Sequence, residues 1–389
     1  MFWPWSECGL AALSLLQRST RQAASVLTFG HMFVHRPSIS TALRTVCLAA
    51  ARAALGFSVA ALPACRPASA GPDPTAAYPD PGALRRDIAY LASDALQGRG
   101  TGTPGNDSAA AFIARRYAQL GLQPLAPGYL QPFVAHSLAT VHAGQPADLA
   151  TQNVAALLQG RDASLRGQYV VVGAHFDHLG RSTEGALDPD AKDAIRHGAD
   201  DNASGTAAVL ELARLLAASP PRRSVLFVNF SAEEMGLLGS QYFVDHAPVP
   251  LDSIVAMVNF DMVGRLRDDK LIVYGVATAS ELPALVDSAN ARSGRDGGPW
   301  DEALRITALG DGFGPSDQSS FYARDIPVLH FFTDLHDDYH KASDVTSRIN
   351  AAGEAQVVDV AEHAIRAIAD RPARLTFVGR ATPRVQTRR

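Results

Sequence analysis

Short apolar segments alternate with helical segments through most of the chain after residue 152. YVVVGA, SVLFVNF, IVAMVNF and IPVLHFF are apolar at almost every position, so strands formed by them need cover on both faces. NVAALL and KLIVYG are further strand candidates. The helical candidates between and beyond these strands cover residues 204–218, 236–246, 282–292, 319–323 and 353–368, and two more precede them at 83–96 and 108–120. This alternation predicts an α/β fold, in which a central sheet lies between layers of helices.

The composition limits the kinds of partner and of chemical site that this chain can have. The chain has 389 residues, 47% of them hydrophobic and 19% charged, and a formal net charge of −4, which argues against nucleic acid as a partner. All three cysteines, Cys8, Cys47 and Cys65, lie in the first 70 residues. The rest of the chain therefore contains no disulfide, no thiolate metal site and no cysteine nucleophile, and a metal there must be held by nitrogen and oxygen.

Residues 1–70 are predicted to be an export segment. Arginines precede the apolar run AALGFSVAALPA, which is long enough for the core of a signal peptide and too short to span a bilayer. LPAC, ending at Cys65, resembles a lipoprotein signal, whereas ASA at 68–70 fits ordinary signal peptidase cleavage, and both alternatives stay open. Met32 is an alternative start. We expect a periplasmic, secreted or lipid-anchored protein of the bacterial envelope, attached to membrane only through Cys65, with a linker at 71–82.

Acidic and histidine side chains follow four of the predicted strands. Sites in α/β folds gather at the carboxyl ends of strands, and these ligand types suit a hard or borderline cation. Each residue alone could instead be a loop residue or a helix cap. We expect His178 either to support a metal ligand from behind or to pack in the interior, and we expect Asp200, His336, Asp337 and Asp338 to be loop side chains. Their joint occurrence at successive strand ends favours a metal site. The candidates are His175 and Asp177 after the first of these strands, Asp201 in the turn HGADDNASG, Glu233 and Glu234, Asp261, His340 and Asp344.

Five of these segments, in this order, resemble the M28 family of zinc aminopeptidases: GAHFDHLG, GADDNASG, SAEEMGLLGS, VNFDMVG and YHKASD. The similarity extends from about Leu91 to about Ala369. It implies an α/β fold with a mixed, mostly parallel central β-sheet sandwiched between helices. It also implies a single peptidase domain at 83–372 without an inserted domain, followed by a tail at 373–389.

The resemblance also implies a role for each site residue. Two zinc ions would share Asp201 as a bridging carboxylate together with a water or hydroxide, and Glu233 would be the general base. Asp177 would orient the imidazole of a ligand, and the peptide bond between Asp201 and Asn202 would be cis. The remaining metal ligands would be His175 and Asp261 on one zinc, and Glu234 and His340 on the other.

The implied function is an exported dinuclear zinc aminopeptidase, a monomer that hydrolyses N-terminal residues from peptides through a metal-bridging hydroxide. Three alternatives share this scaffold: a glutaminyl cyclase with a single zinc, a carboxypeptidase or dipeptidase, and a non-catalytic binding protein. Ser316 and Asp317 could either support the site or cap a helix. We expect residues 265–310 to shape the specificity pocket.

Overall fold

The computed structural model describes residues 78–136, 148–294 and 299–379. The predicted export segment, most of the predicted linker and residues 380–389 of the predicted tail lie outside these ranges.

A nine-stranded sheet runs through the described chain, in the order β1-β3-β5-β4-β6-β9-β7-β8, with β2 also paired to β3. The four central strands β5, β4, β6 and β9 are parallel, whereas β3 and β7 run antiparallel to their neighbours β5 and β9. The predicted mixed sheet with a mostly parallel centre is confirmed. The strands are β1 Gln123–Pro124, β2 Leu130–His136, β3 Asp148–Leu158, β4 Tyr169–His175, β5 Ser224–Phe230, β6 Ile254–Phe260, β7 Lys270–Tyr274, β8 Arg305–Ala308 and β9 Val328–Phe332.

Helices cover both faces of this sheet. In the described ranges they are α1 Pro81–Leu91, α2 Pro104–Gln119, α3 Gly205–Ala218, α4 Leu238–Asp245, α5 Leu282–Ser293, α6 Gln318–Tyr322 and α7 Ala351–Ala369. The larger apolar core joins one face to α1, α2, α3, α5 and α7, and a second core joins the other face to α4 and α6. None of these helices is both long enough and apolar enough to cross a membrane.

Local capping explains where the helices differ from the predicted bounds. The Thr103 side chain accepts the N–H of Asn106, and Pro104 occupies the first turn, so α2 begins four residues before the predicted 108. Helix α1 ends at Leu91, before the predicted 96, and a short 3-10 turn at Asp94–Arg99 follows it. This turn carries Arg99 to the interior of the domain.

The chain remains packed past residue 372, where the predicted domain ends. Leu375 belongs to the larger core, and Phe377 forms a β-bridge with Ala279. The Thr376 N–H donates to Glu281. The described chain as far as Phe377 is therefore part of the folded body.

The face of the sheet that packs against α4 and α6 changes from apolar to polar along the strands. Because alternate residues of a strand share a face, Val171, Gly173 and His175 point the same way on β4. The partners in register extend each row across the sheet: Gly173 pairs with Asn259, Asn259 with His330, and His330 with Tyr274. An apolar core therefore gives way first to a row that includes a buried amide and an imidazole. The row at the carboxyl edge carries the predicted metal ligands of β4 and the segment after β6.

Candidate metal centre

The structure brings all five predicted ligands together at the carboxyl ends of the central parallel strands. His175 Nε2 lies 3.4 Å from Asp201 Oδ1 and 3.5 Å from Asp261 Oδ1. His340 Nε2 lies 3.1 Å from Asp201 Oδ2 and 3.3 Å from Glu234 Oε2. The two oxygens of Asp201 thus face two different groups of ligand atoms.

The donor atoms fit divalent cations. Zinc bonds of about 2.0 to 2.1 Å in a tetrahedron place ligand atoms roughly 3.3 Å apart, close to the separations at both groups. His175 Nε2 and Asp261 Oδ1 are buried, and neither has a hydrogen-bond partner among the described residues. Buried polar atoms normally have partners, so these two are positioned for a group outside the protein chain.

His178 contacts a predicted metal ligand, which agrees with the first of its two predicted roles. Its Nδ1 is 2.7 Å from Glu234 Oε1, and its ring meets the ring of His340 edge to face. Donor atoms of His178, Asp201 and Glu234 lie within 4.8 Å of one another and form a further possible metal-binding group. The contact between His178 and Oε1 fixes the Glu234 carboxylate so that Oε2 faces His340.

Asp177 supports the turn after β5. Its Oδ1 accepts the Glu233 N–H at 3.1 Å, and its Oδ2 faces the Glu234 nitrogen at 3.4 Å and the Thr101 hydroxyl at 3.0 Å. His175 Nδ1 is 3.2 Å from the Asp177 carbonyl oxygen and 3.7 Å from its carboxylate. Asp177 therefore contacts the imidazole mainly through its backbone, while its carboxylate positions the two glutamates.

The clustered carboxylates of the centre favour positive charge on the groups beside them. Burial lowers the pKa of His175, but Glu233 and Asp261 outweigh burial and hold it well above its usual value. Burial likewise opposes the shift at His340, where Asp201 and Glu234 raise the pKa to about 11. Bound cations meet the same demand, because they neutralise neighbouring carboxylates directly.

Glu233, the predicted general base, lies beside the ligand group that includes His175. Its Oε2 lies 4.0 Å from His175 Nε2, and its side chain borders the cavity above the centre. Burial raises the pKa of Glu233 well above its usual range, His175 opposes the shift, and the negative charges of Glu234 and Asp261 add to it.

The turn that presents Asp201 is held by two buried acids, Asp344 and Asp200, and only Asp200 is predicted from the sequence to be a loop side chain. The peptide bond between Asp201 and Asn202 is cis. Asp344 Oδ2 accepts the N–H groups of Asp200 and Asp201 at 2.9 and 3.1 Å. The expectation of a loop side chain is wrong for Asp200, which is fully buried and accepts the Gly264 N–H at 2.7 Å.

Two further residues that were predicted to be loop side chains also support the structure around the centre. His336 Nε2 lies 3.1 Å from Asp200 Oδ2, and Asp338 is buried against Arg265 at 2.7 Å. The turn is therefore supported from beneath by residues that follow β9. Asp337 remains an exposed loop residue, as expected.

Arg99 was not identified from the sequence. Its fully buried guanidinium donates to the carbonyls of Phe176, Leu91, His197 and Gly198 at 2.6 to 2.9 Å, which joins α1 to the two loops that carry His175 and Asp201. Burial lowers the pKa of Arg99 to about 10, with nearby carboxylates opposing the shift. The side chain therefore stays cationic at neutral pH. Its position within QGRGTG carries no local signal of this role.

A cavity of about 340 Å³ opens above the ligands. Ser316 lies at its edge and donates to Asp261 Oδ2 at 2.8 Å, so it supports the centre. Asp317 is at the N-terminus of α6 but makes no capping hydrogen bond there. Of the two interpretations of this pair, Ser316 fits a supporting role, and capping by the Asp317 side chain is not observed.

Together, the mixed sheet and the carboxylate–histidine cluster at its strand ends define an α/β protein with a candidate metal centre of nitrogen and oxygen ligands. The family model for peptidase family M28 matches residues 153–365, more than half of the chain. The chain belongs to peptidase family M28.

Individual relatives agree with this assignment. Aminopeptidase YwaD of Bacillus subtilis is 31% identical over 183 residues, which are 43% of this chain and 37% of that protein. An aminopeptidase of Pseudomonas aeruginosa is 43% identical over 96 residues, 24% of this chain and 15% of that protein. The chain therefore spans well under half the length of either relative. A Zn-dependent exopeptidase from Parabacteroides distasonis shares the fold, with a TM-score of 0.60 at 18% identity over 76% of this chain and 99% of the other.

Proposed function

We propose that this chain is a dinuclear zinc aminopeptidase that removes N-terminal residues from peptides. One observation carries the proposal: the two carboxylate oxygens of Asp201 face separate ligand groups, as a carboxylate shared by two ions requires. The M28 family and the aminopeptidase relatives support the same reaction.

The side chains divide into ligands and a proton carrier. His175 and Asp261 would hold one zinc, Glu234 and His340 the other, and Asp201 both. When bound, zinc lowers the pKa of water towards about 7 and polarises the carbonyl of the scissile peptide. Glu233 accepts the proton of the attacking water and delivers it to the leaving amine.

The cavity favours an amino terminus over a carboxyl terminus. A carboxypeptidase commonly binds the terminal carboxylate with a cationic side chain. Among the described residues that line this cavity there is neither lysine nor arginine, whereas Glu233, Glu234 and Asp261 all reach it. An α-ammonium group finds carboxylates here, and a terminal carboxylate finds no cationic side chain.

The test combines metal content with activity. The purified chain is loaded with zinc, freed of excess metal, and assayed on leucine 4-nitroanilide and on its N-acetyl derivative. We expect about two zinc ions per chain and hydrolysis only of the substrate with the free amine. One zinc with cyclisation of N-terminal glutamine would instead indicate a glutaminyl cyclase, and absence of stoichiometric zinc would indicate a binding protein.

We also propose that the protein is exported and that it acts as a monomer. Export is supported by the arginines and the apolar run within residues 1–70. N-terminal sequencing and mass measurement of the envelope-associated protein test this. A mature chain that begins after Ala70 indicates signal peptidase cleavage, one that begins with lipidated Cys65 indicates an anchor, and retention of Met1 would contradict export by cleavage.

A further inference from the structure

The cavity extends below the metal ligands to two polar side chains that the proposed chemistry does not use. His330 shares a face of β9 with Phe332 and lies one pleat deeper, because alternate strand residues share a face. Gln318, at the start of α6, is fully buried and borders the same cavity. We call His330 and Gln318 the pocket floor.

Donor and acceptor roles can be assigned along the hydrogen bonds that connect the predicted metal ligand Asp261 to this floor. The Asp261 carboxylate, when ionised, can only accept, so Ser316 must donate its hydroxyl hydrogen to it. The Ser316 oxygen then accepts from Asn259, 2.8 Å away, and this identifies the nearby Asn259 atom as its amide nitrogen, Nδ2.

Asn259 Nδ2 fixes the orientation of both floor residues. It lies 3.1 Å from His330 Nδ1 and 3.2 Å from Gln318 Oε1. Asn259 Nδ2 carries two hydrogens, so one serves Ser316 and the other is shared between His330 Nδ1 and Gln318 Oε1. Because an amide nitrogen only donates, His330 Nδ1 must accept, and the ring hydrogen sits on Nε2. Burial lowers the pKa of His330 to about 4, in keeping with a neutral ring.

The same constraint leaves the Gln318 nitrogen without a partner. With Oε1 turned to Asn259, Gln318 Nε2 is buried and has no hydrogen-bond acceptor among the described residues. The floor therefore holds two donors, His330 Nε2–H and Gln318 Nε2–H, and the Gln318 nitrogen is buried beneath the cavity surface. His330 borders the cavity and keeps some exposure, so its Nε2–H is the donor that a ligand can meet.

We propose that the pocket floor selects substrates whose N-terminal side chain ends in a neutral hydrogen-bond acceptor, with glutamine the best match. This inference rests on the proposed aminopeptidase function. Tyr274 and Phe332 border the cavity beside His330 and can pack on the methylene groups of such a side chain. A carboxylate side chain matches less well, because the described lining offers it no lysine or arginine and places carboxylates nearby.

The energetic reason is the cost of leaving buried donors unpaired. A leucine side chain fills the space but removes water from the His330 donor without replacing its hydrogen bond, whereas a glutamine carbonyl accepts from it. Sites built to hydrogen-bond a substrate can discriminate strongly against an analogue that lacks the matching group.

The experiment compares kcat/KM for glutamine 4-nitroanilide and leucine 4-nitroanilide with the zinc-loaded full chain. We expect the wild-type glutamine-to-leucine ratio to be about ten or more, and the ratio to fall at least about tenfold in His330→Leu. His330→Gln keeps an N–H donor and should retain most of the preference. His363→Leu makes the same chemical change on α7, away from the cavity lining, and should leave the ratio unchanged.

Product inhibition by free L-glutamine and free L-leucine gives a second readout, and Gln318→Met gives a second variant if His330→Leu does not fold. A ratio that stays at the wild-type value in both His330→Leu and Gln318→Met overturns the pocket-floor inference while leaving the aminopeptidase proposal intact. Failure of the wild type to hydrolyse either anilide overturns the proposed function. Conversion of glutamine 4-nitroanilide to pyroglutamyl 4-nitroanilide with release of ammonia would likewise overturn the proposed function.

Discussion

Glu233 and Glu234 are sequence neighbours with different surroundings. The backbone nitrogens of both face the Asp177 carboxylate, so the position of the turn does not depend on the contacts of the two glutamate side chains. His178 then holds one oxygen of Glu234 and turns the other towards His340. Glu233 is left facing the cavity. Two adjacent acids thus have different surroundings, which suit the proposed roles of ligand for Glu234 and proton carrier for Glu233, through contacts that the sequence spacing does not specify.

Replacing Glu233 by glutamine tests that separation. Glu233→Gln keeps the size of the side chain and removes the base, so kcat should fall about 10² to 10⁴-fold. Zinc content should remain close to that of the wild type, because the ligands are untouched. Steady-state kinetics and elemental analysis check both results, with the exposed Glu302→Gln as control. Near-normal turnover in Glu233→Gln would place the base elsewhere.

The central strands are the elements that the sequence predicts best. Ser224–Phe230 and Ile254–Phe260 have the predicted bounds because every one of their residues is buried, and the apolar pattern is therefore uninterrupted. Strands β2 and β8 were missed. They are partly exposed, so their sequences lack a continuous apolar signal, and β8 has no fully buried residue at all.

The start of α3 is the element boundary on which the site depends most closely. A Cβ on Gly205 would lie 2.3 Å from Asn202 Oδ1 and 2.4 Å from the Phe260 carbonyl oxygen. Gly205→Ala must therefore push α3 away from the turn that carries Asp201 and from the end of β6. We expect a loss of about 1 to 3 kcal/mol in the free energy of unfolding, together with weaker zinc binding.

Thermal unfolding and competition with a zinc chelator measure these two effects. Gly167→Ala is the matched control, because a Cβ at Gly167 meets no atom within 4 Å. If Gly205→Ala behaved like Gly167→Ala in both assays, the close packing of α3 against the Asp201 turn would not be needed for the centre.

Across the whole molecule, the sequence predicts the positions of the ligands better than their support. Acids and histidines after buried strands are local signals, and the parallel centre of the sheet brings those strand ends together. Arg99 and Asp344 act across long sequence separations, by binding the carbonyls of loops and the N–H groups of the Asp201 turn. Such pairings depend on how distant segments pack, which neither spacing nor residue type reveals.

Glu354 makes the stability of the whole domain depend on pH. Both its carboxylate oxygens are buried without hydrogen-bond partners among the described residues, and burial raises its pKa well above the usual value. The folded state therefore holds this proton at pH values where the unfolded chain, with a pKa of about 4.3, has released it. The contribution of Glu354 to the free energy of unfolding is therefore expected to fall as pH rises above that value, until Glu354 ionises in the folded state. The charged groups that influence it are Asp200, Asp87 and Glu211, which raise its pKa, and Arg85, which lowers it.

Glu354→Gln cannot ionise and removes this contribution. We expect the variant to gain stability relative to the wild type as pH increases from about 5 to about 8, measured by urea unfolding at several pH values. Glu302→Gln again serves as control. A stability difference between Glu354→Gln and wild type that does not change with pH would show that this carboxyl group does not titrate in the expected window.

The wide spacing of the ligands along the chain has a consequence for biosynthesis. During synthesis, His175 is added well before His340, which lies close to the end of the folded region. Arg99 is added before the loops whose carbonyls it binds. A nascent chain that stops before His340 lacks an imidazole that the complete centre requires. If the five predicted ligands form the proposed zinc site, that site can be completed only when synthesis of the domain is nearly finished.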